Sequence, residues 1–144
     1  MYDILIQRMR EEVTRLGAKE LRTPEEVDST IPNSKGTMLV VVNSTCGCAA
    51  GAARPGLALA MQHSVVPDEI VTVFAGQERE ATARARELFD DMPPSSPSFA
   101  LMKDGKFAQM IHRYQIEGHS PQQIAAQLVA AFEQHCSASE KKAV

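Results

Sequence analysis

The sequence lacks the signals that mark membrane and secreted proteins. It has no apolar run near the ~18–20 residues that a membrane-spanning helix needs. Residues 1–4 carry neither the basic region nor the cleavage site of a signal peptide. The formal net charge is only −3, with acidic and basic residues interspersed, so nothing indicates binding to nucleic acid or to an anionic membrane surface. These absences predict a soluble, cytoplasmic protein.

Cysteine is scarce, and its pattern excludes a secreted disulfide framework. The chain has 3 cysteines, an odd number, and two of them are separated by a single residue. In a reducing cytosol such a pair is typical of catalytic, redox-sensing or metal-binding sites. The chain also has no internal repeat and no linker-like segment, so residues 1–136 are predicted to form one domain. The charged tail, residues 137–144, is predicted to be disordered.

The most informative segment is residues 43–51, Asn-Ser-Thr-Cys-Gly-Cys-Ala-Ala-Gly. It follows a continuous apolar run at 37–42, typical of a strand covered on both faces, and it precedes an alanine-rich helical segment. The two thiols are therefore predicted at a strand-to-helix turn, where helix N–H groups and the helix dipole favour a thiolate. Asn43, Ser44 and Thr45 are expected to support this turn through side-chain to backbone hydrogen bonds.

The spacing of Cys46 and Cys48 predicts exchange chemistry rather than a structural bridge. A disulfide needs Cα atoms within ~4.4–6.8 Å, which residues two apart reach only in a bent conformation. Gly47 has no Cβ and permits that bend. Such a disulfide is expected to be strained and easily reduced. Cys46 comes first, nearest the strand end, and is predicted to be the nucleophile. Cys48 is predicted to be the resolving thiol, with resolution by a free small thiol as the alternative.

The N-terminal part of the chain predicts two helices. Apolar residues recur at three- and four-residue steps over residues 2–16, and Gly17 ends that helix. The charged side chains of this helix are predicted to face solvent: Arg8, Arg10, Glu11, Glu12 and Arg15. A second, short helix is predicted to begin at Thr23, which can cap it while Glu26 completes a capping box.

Strands and helices then alternate along the chain. Four segments have the length and composition of strands: 37–42, 69–74, 98–102 and 106–111. Three have the pattern of helices: 48–63, 78–90 and 121–136, the last capped by Ser120. Asp104-Gly105 predicts a hairpin turn, and Pro55 predicts a kink near Ala52. This order predicts an α/β protein with a central mixed sheet, helices on both faces and an N-terminal helical extension.

This order, with a cysteine pair at a strand-to-helix turn, resembles the thioredoxin fold. Ser96-Pro97 stands just before the hairpin, where thioredoxin-like proteins carry a cis-proline that faces the active-site thiols. Thioredoxins use Cys-x-x-Cys, whereas this chain has Cys46-Gly47-Cys48. That variant resembles the bacilliredoxin family, thioredoxin-like proteins of bacteria with a Cys-Gly-Cys site. The similarity covers nearly the whole chain and includes residues 40–44, 46–51, 53–55, 72–77, 80–82, 95–98 and 116–119.

The resemblance implies a thiol–disulfide oxidoreductase that removes mixed disulfides of the small thiol bacillithiol from client proteins. It implies no bound cofactor. Bacillithiol or a similar low-molecular-weight thiol is the expected co-substrate, and S-thiolated or disulfide-containing proteins are the expected partners. A related activity, weak protein disulfide isomerisation, stays open as an alternative.

The resemblance also implies roles for residues around the thiols. Pro97, Ser96, Thr45 and Gly47 are predicted to form the substrate groove, in which a cis peptide bond presents backbone groups to an extended client. Arg54 lies about two turns along the helix that follows. It has two interpretations, a contact for a carboxylate of the small thiol or a solvated surface arginine.

Other candidate residues also keep two interpretations. His63, His112 and His119 are predicted either to assist proton transfer or to fill surface and capping roles. Cys136, at the end of the last helix, is predicted to be a surface or half-buried thiol, with pairing to another chain as the alternative.

Two other function classes compete with catalysis. A metal or iron–sulfur protein would use Cys46 and Cys48 as ligands. Metal sites usually have four ligands, and neither Cys136 nor the histidines have ligand spacing to the pair, so no metal site is predicted. A redox sensor, in contrast, would form the disulfide and bind a partner without turnover.

Overall fold

The computed structural model describes residues 2–136, and the predicted disorder of residues 137–144 lies outside that range. The helices are α1 (Tyr2–Thr14), α2 (Pro24–Thr30), α3 (Arg54–Ala60), α4 (Arg79–Glu87), α5 (Arg113–Ile116) and α6 (Pro121–His135). The strands are β1 (Lys19–Glu20), β2 (Thr37–Asn43), β3 (Glu69–Phe74), β4 (Ser98–Lys103) and β5 (Lys106–Ile111). A π-helical segment, Ala49–Ala53, leads directly into α3.

The strands form a five-stranded mixed sheet in the order β1-β3-β2-β4-β5. β1, β3 and β2 are parallel, whereas β4 is antiparallel to β2 and β5 is antiparallel to β4. Every residue of β2 is buried, which confirms a strand covered on both faces. Asn43 pairs with Phe74 where β2 and β3 end. The segment after β2 therefore leaves the sheet at the carboxyl edge of its parallel strands, where α/β proteins place their sites.

Alternate side chains of β2 enter two apolar cores, one on each face of the sheet. Leu39 and Val41 pack in one core with residues of α3 and α6, among them Leu57 and Leu128. Val40 and its neighbours of the same parity pack in the other core with residues of α2 and α4. The predicted mixed sheet with helices on both faces and a helix at the N-terminus is confirmed.

The helix after the cysteines begins irregularly, in the region where Pro55 predicted a kink. In the π-helical turn, the N–H of Arg54 donates to the carbonyl of Ala49. Pro55 has no N–H and cannot donate the backbone hydrogen bond that its α-helical position would require. Because the wider π-helical turn comes first, the missing hydrogen bond falls at the start of the regular helix. α3 then ends at Ala60 rather than at the predicted His63.

Two short elements, β1 and α5, were not predicted. β1 consists of two residues, which pair with Val71 and Thr72 of β3. α5 is a single turn of four residues that begins after His112. Neither element is long enough to show a periodic pattern of apolar residues, so only their contacts with the rest of the fold define them.

The buried face of α1 includes Val13, as its apolar pattern predicted, but differs from that pattern nearer the N-terminus. Tyr2 and Leu5 are 61% and 44% exposed, while Arg10 is only 8% exposed. The Arg10 guanidinium makes two 2.7 Å hydrogen bonds to the Glu78 carboxylate and lies 5.1 Å from the centre of the Phe74 ring. The prediction of a solvated Arg10 was therefore wrong, because a paired carboxylate and an aromatic face offset the cost of burying the charge.

Most predicted caps and turns are confirmed. The Thr23 hydroxyl accepts the N–H of Glu26 at 3.1 Å. The Glu26 carboxylate, however, accepts the N–H of the residue before Thr23, so the capping box predicted there is not closed. The box at Ser120 is complete. Asp104 and Gly105 have φ angles of 51° and 78°, as a two-residue hairpin turn requires.

Candidate active site

The two cysteines of the turn after β2 lie side by side. Their Sγ atoms are 3.0 Å apart and share a hydrogen bond, and both cysteines are reduced. Cys46 and Cys48 are each half-buried, whereas Gly47 between them is exposed. The turn therefore holds two partly accessible sulfur atoms in contact, as thiol–disulfide exchange between neighbours requires.

The surroundings of Cys46 favour its thiolate. Partial burial acts to raise the pKa of Cys46. Hydrogen bonds from the Cys48 thiol, the Ser44 side chain and the N–H groups of Ala49 and Cys48 outweigh that effect and lower the pKa below its ordinary value. The Ser44 oxygen is held close, since it accepts the N–H of Cys46 at 3.2 Å. Because the thiolate is the nucleophile in exchange, Cys46 is the better placed of the two for attack.

Cys48 is shifted in the opposite direction. Partial burial, the hydrogen bond to Cys46 and the negative charge of Cys46 all raise the pKa of Cys48, and the positive charge of Arg113 opposes them only in part. Two of these causes depend on a Cys46 thiolate. They are absent when Cys46 carries no negative charge.

Arg54 fixes the main chain that leads to Cys46. Its Nη1 donates to the Asn43 side-chain oxygen at 3.0 Å and to the Ser44 carbonyl at 2.8 Å. The same Asn43 oxygen accepts the N–H of Ser44 at 2.9 Å. Arg54 is 3% exposed. The guanidinium is thus an interior part of the turn and not a group that meets solvent.

α1 completes this buried network. Arg54 Nε donates to the carboxylate of Glu12 at 2.9 Å, and the Glu12 side chain is 35% exposed. The Asn43 amide donates to the carbonyl of Met9 at 3.2 Å. Two residues of the N-terminal helix therefore hold the side chains that shape the cysteine turn. The prediction that the charges of α1 simply face solvent is wrong for Glu12 as well as for Arg10.

α5 and the loop before β4 contribute a second set of residues, of which Arg113 lies within electrostatic range of Cys48. The Ser96–Pro97 peptide bond is cis, and Pro97 is buried while Ser96 is half-buried. The Ser96 carbonyl accepts a 3.0 Å hydrogen bond from Arg113 Nη1, so the carbonyl predicted for a client already has a partner within the chain. The Arg113 side chain is 40% exposed and also pairs with Glu117 at 3.3 Å.

Comparison with known proteins identifies the group to which this arrangement belongs. The sequence profile of a family described as "Disulphide isomerase" matches residues 1–136. A bacilliredoxin of Geobacillus kaustophilus is 52% identical over 136 residues, covering 94% of this chain and 93% of its own. A bacilliredoxin of Symbiobacterium thermophilum is 58% identical over 127 residues, covering 88% of this chain and 90% of its own. The chain belongs to the bacilliredoxin family.

The fold of this bacilliredoxin-family chain is that of thioredoxin, as predicted. The solved structure of Fasciola hepatica thioredoxin is 22% identical and superimposes with a TM-score of 0.57, covering 81% of this chain and 98% of its own. That identity shows the fold alone. Family and fold together make the chain a thiol–disulfide oxidoreductase.

Two of the four residues predicted for a substrate groove lie on the cysteine turn, and the grouping of all four as a groove stays a prediction. Thr45 and Gly47 are exposed on the turn itself. Pro97 borders the same small enclosed space as Asn43 and Arg54. Both interpretations of Arg54, a contact for the small thiol and a solvated side chain, are wrong, because its guanidinium is buried and bound to the turn.

Arg113 was not singled out from the sequence, although the hairpin carries a signal for it. In the β4–β5 pairing Phe99 lies opposite Ile111. Continuing that antiparallel register brings the residues after Ile111 beside Pro97. The hairpin turn was predicted, and counting outward from it would have placed position 113 within about one residue of Pro97, since partners diverge symmetrically from an antiparallel turn.

The histidines have contacts of their own. His63 Nε2 lies 2.9 Å from a Glu133 carboxylate oxygen, and His119 Nδ1 lies 3.2 Å from the Glu117 carbonyl. His112 stacks on Tyr114 with ring centres 5.2 Å apart. His63 and His112 are half-buried and His119 is exposed; a part for any of the three in proton transfer stays a prediction.

Cys136 is half-buried and packs against the core that contains α6, one of the placements that the sequence allowed. Within residues 2–136, no group of three or more His, Cys, Asp and Glu side chains is arranged to hold a metal ion. The same part of the chain contains no helix that is both long and apolar enough to span a bilayer.

Proposed function

We propose that this protein removes bacillithiol, or a similar small thiol, from mixed disulfides on client proteins in the cytoplasm. The observation that carries this proposal is the contact between two thiols whose pKa values are shifted in opposite directions, that of Cys46 down and that of Cys48 up. Relatives that are more than half identical over nearly the whole chain carry the name bacilliredoxin, which supports the choice of small thiol.

The reaction begins with attack by the Cys46 thiolate on the small-thiol sulfur of the mixed disulfide. A new disulfide forms between Cys46 and the small thiol, the original bond breaks, and the client leaves as a thiolate that takes a proton from water. Cys48 loses its proton and attacks Cys46, which forms the Cys46–Cys48 disulfide and releases the small thiol. Two further molecules of a low-molecular-weight thiol, or one molecule of a dithiol reductant, then supply two electrons and two protons to restore the pair and are themselves oxidised to a disulfide.

The residues around the pair support these steps. Ser44 stabilises the attacking thiolate, and Arg54 with Asn43 holds the turn in place. Thr45 and Gly47 on the turn, with Ser96 and Pro97 opposite, are the proposed walls of the substrate groove.

The test is exchange with a client protein that carries one bacillithiol on a single cysteine, followed by intact mass. Reduced wild type is expected to free the client. Cys48→Ser is expected to free it too and to gain the mass of one bacillithiol, because attack proceeds but resolution does not. Cys46→Ser is expected to leave the client capped. Cys136→Ser is the matched control and should behave as wild type.

An unchanged client with every variant would contradict the proposal. So would release by Cys46→Ser at the wild-type rate, because Cys46 would then not be the nucleophile.

One observation favours a second candidate, protein disulfide isomerisation: the matching family profile is described as "Disulphide isomerase". A scrambled, disulfide-containing protein incubated with the same variants separates the two. Recovery of the native protein that depends on Cys46, with no release of bacillithiol in the first assay, would replace the first proposal with this one.

A further inference from the structure

Arg113 is bound to the loop that precedes Pro97. Its N–H donates to the Ser95 hydroxyl at 3.3 Å, and its Nη1 donates to the Ser96 carbonyl at 3.0 Å. These bonds tie both the main chain and the guanidinium of Arg113 to the residues that precede Pro97. The orientation of the side chain is therefore set by the structure, although 40% of the side chain remains exposed.

The charge of Arg113 acts on the reaction centre. The hydrogen bond with Glu117 raises the pKa of Arg113 most, and the negative charges of Cys46 and Cys48 raise it as well. In the opposite direction, Arg113 acts to lower the pKa of Cys48. A positive group that can be reached from solvent thus lies within electrostatic range of both sulfur atoms.

The carboxylate that pairs with Arg113 competes only weakly with a ligand for the guanidinium. The Glu117 side chain is 62% exposed and approaches Arg113 Nη2 only to 3.3 Å. Exposed pairs of this kind contribute little, since water and salt screen both charges. An incoming carboxylate can replace Glu117 without leaving a buried charge unpaired.

We propose that Arg113 binds a carboxylate of the small-thiol half of the mixed disulfide and so determines which caps the site accepts. The inference rests on the proposed function. During attack by Cys46, the sulfur of the small thiol must lie against the thiol pair, and the rest of that molecule then extends over the neighbouring surface. Arg113 presents a guanidinium there, and guanidinium groups bind carboxylates through charge-assisted hydrogen bonds.

The experiment compares three caps on one single-cysteine client protein: mercaptosuccinate, which carries carboxylates, 2-mercaptoethanol, which is neutral, and cysteamine, which is cationic. Reduced wild type, Arg113→Gln and Glu117→Gln are each mixed in excess with each capped client. Release of the client is followed in a single turnover by intact mass. Arg84→Gln is the control for net charge, because Arg84 is another partly exposed arginine, which pairs with Glu87 and with Asp28.

We expect Arg113→Gln to lower the ratio of the mercaptosuccinate rate to the 2-mercaptoethanol rate about fivefold, the effect of one partly screened charge pair. Glu117→Gln is expected to raise that ratio, because Arg113 loses its competing partner. Arg84→Gln should leave it at the wild-type value. In ~1 M salt, where the Debye length is ~3 Å, the wild-type preference for mercaptosuccinate should shrink.

The ratio of the mercaptosuccinate rate to the 2-mercaptoethanol rate separates recognition of the cap from a general effect on the reactivity of the thiols. If Arg113 only tuned the thiolates, Arg113→Gln would slow all three caps equally and leave the ratio unchanged, and that result would overturn the inference while decapping stands. Release of none of the three caps by wild type would overturn this inference, and it would overturn the proposed function as well if a bacillithiol-capped client also stays unchanged. A fall in the ratio with Arg84→Gln as large as with Arg113→Gln would also overturn it, because the effect would then come from net charge.

Discussion

Two arginines flank the cysteine pair, and they differ in almost every property except charge. Arg54 is 3% exposed and bonds to Asn43, to the Ser44 carbonyl and to Glu12. The Arg113 side chain is 40% exposed, with one bond to a backbone carbonyl and one long ion pair. The buried arginine is bound to the residues that precede Cys46, and the exposed one is bound to the loop that contains the cis-proline.

The difference shows that burial, rather than residue type, separates a structural arginine from a binding one. A guanidinium whose donors are directed at the protein interior can only shape the site, because a ligand would have to break those bonds first. A guanidinium that is anchored at one nitrogen and exposed elsewhere can accept a ligand. Arg54 therefore positions the turn, and Arg113 remains for recognition.

The comparison is tested most strongly by Arg54→Met. Removing the guanidinium leaves the Asn43 oxygen, the Ser44 carbonyl and Glu12 without that donor. We expect the free energy of unfolding to fall by about 2–4 kcal/mol, less than for a fully buried pair because Glu12 is partly hydrated. Urea denaturation followed by circular dichroism measures the change. Arg113→Gln is the control, and its denaturation midpoint should match that of wild type.

Equal denaturation midpoints for Arg54→Met and wild type would remove the distinction between the two arginines. A large loss of stability in Arg113→Gln would also remove that distinction, since replacing an exposed arginine should change the free energy of unfolding little.

The strand side of the site is tested by Ser44→Ala. The Ser44 side chain lowers the pKa of Cys46, so its removal should raise that pKa toward the ordinary value. At neutral pH less thiolate is then present, and the half-maximal rate of alkylation of Cys46 by iodoacetamide should move to higher pH. Fragment mass spectrometry assigns the label to Cys46 or Cys48, and Cys46 should react at lower pH than Cys48 in wild type.

Ser34→Ala is the matched control for this profile, because the Ser34 hydroxyl donates to a backbone carbonyl in a turn away from the cysteines. If the pH profile of Cys46 alkylation does not move in Ser44→Ala, the other hydrogen bonds to the Cys46 sulfur are sufficient to lower its pKa.

The smallest expected effect belongs to Glu12→Gln. This change keeps an oxygen acceptor for Arg54 Nε and removes only the charge of a side chain that is 35% exposed. We expect a loss of about 0.5–1 kcal/mol in the free energy of unfolding, measured by urea denaturation beside Glu11→Gln, the same change at an exposed carboxylate of α1. A loss as large as that of Arg54→Met would show that the ion pair, and not the bonds to the turn, carries the role of Arg54.

Local signals explain why much of the fold could be predicted. The unbroken apolar run of β2, the Thr23 and Ser120 caps and the Asp104-Gly105 turn each act over a few residues, so the sequence contains their whole cause. The cysteine turn was predictable for the same reason. β1 was not, because two residues form a strand only through their pairing with β3.

The burial of charged side chains could not be predicted, because it depends on partners far along the chain. The buried Arg10 contacts Glu78 and Phe74, and the buried Arg54 contacts the Glu12 carboxylate of α1. The helical pattern alone assigns such residues to the surface, since an unpaired charge is costly to bury. Only the assembled fold brings the partners near enough to change that outcome.

The contacts of α1 with the cysteine turn have a consequence for transplanting this chemistry. Grafting Cys46-Gly47-Cys48 onto another thioredoxin scaffold would move the two sulfur atoms without the Met9 carbonyl and the Glu12 carboxylate, which bind Asn43 and Arg54. The grafted tripeptide would keep the spacing of its cysteines. It would lose the hydrogen bonds that hold the main chain leading to Cys46. Transfer of this chemistry to another scaffold therefore requires the tripeptide and also α1, a helix that contains no thiol and precedes the tripeptide in the chain.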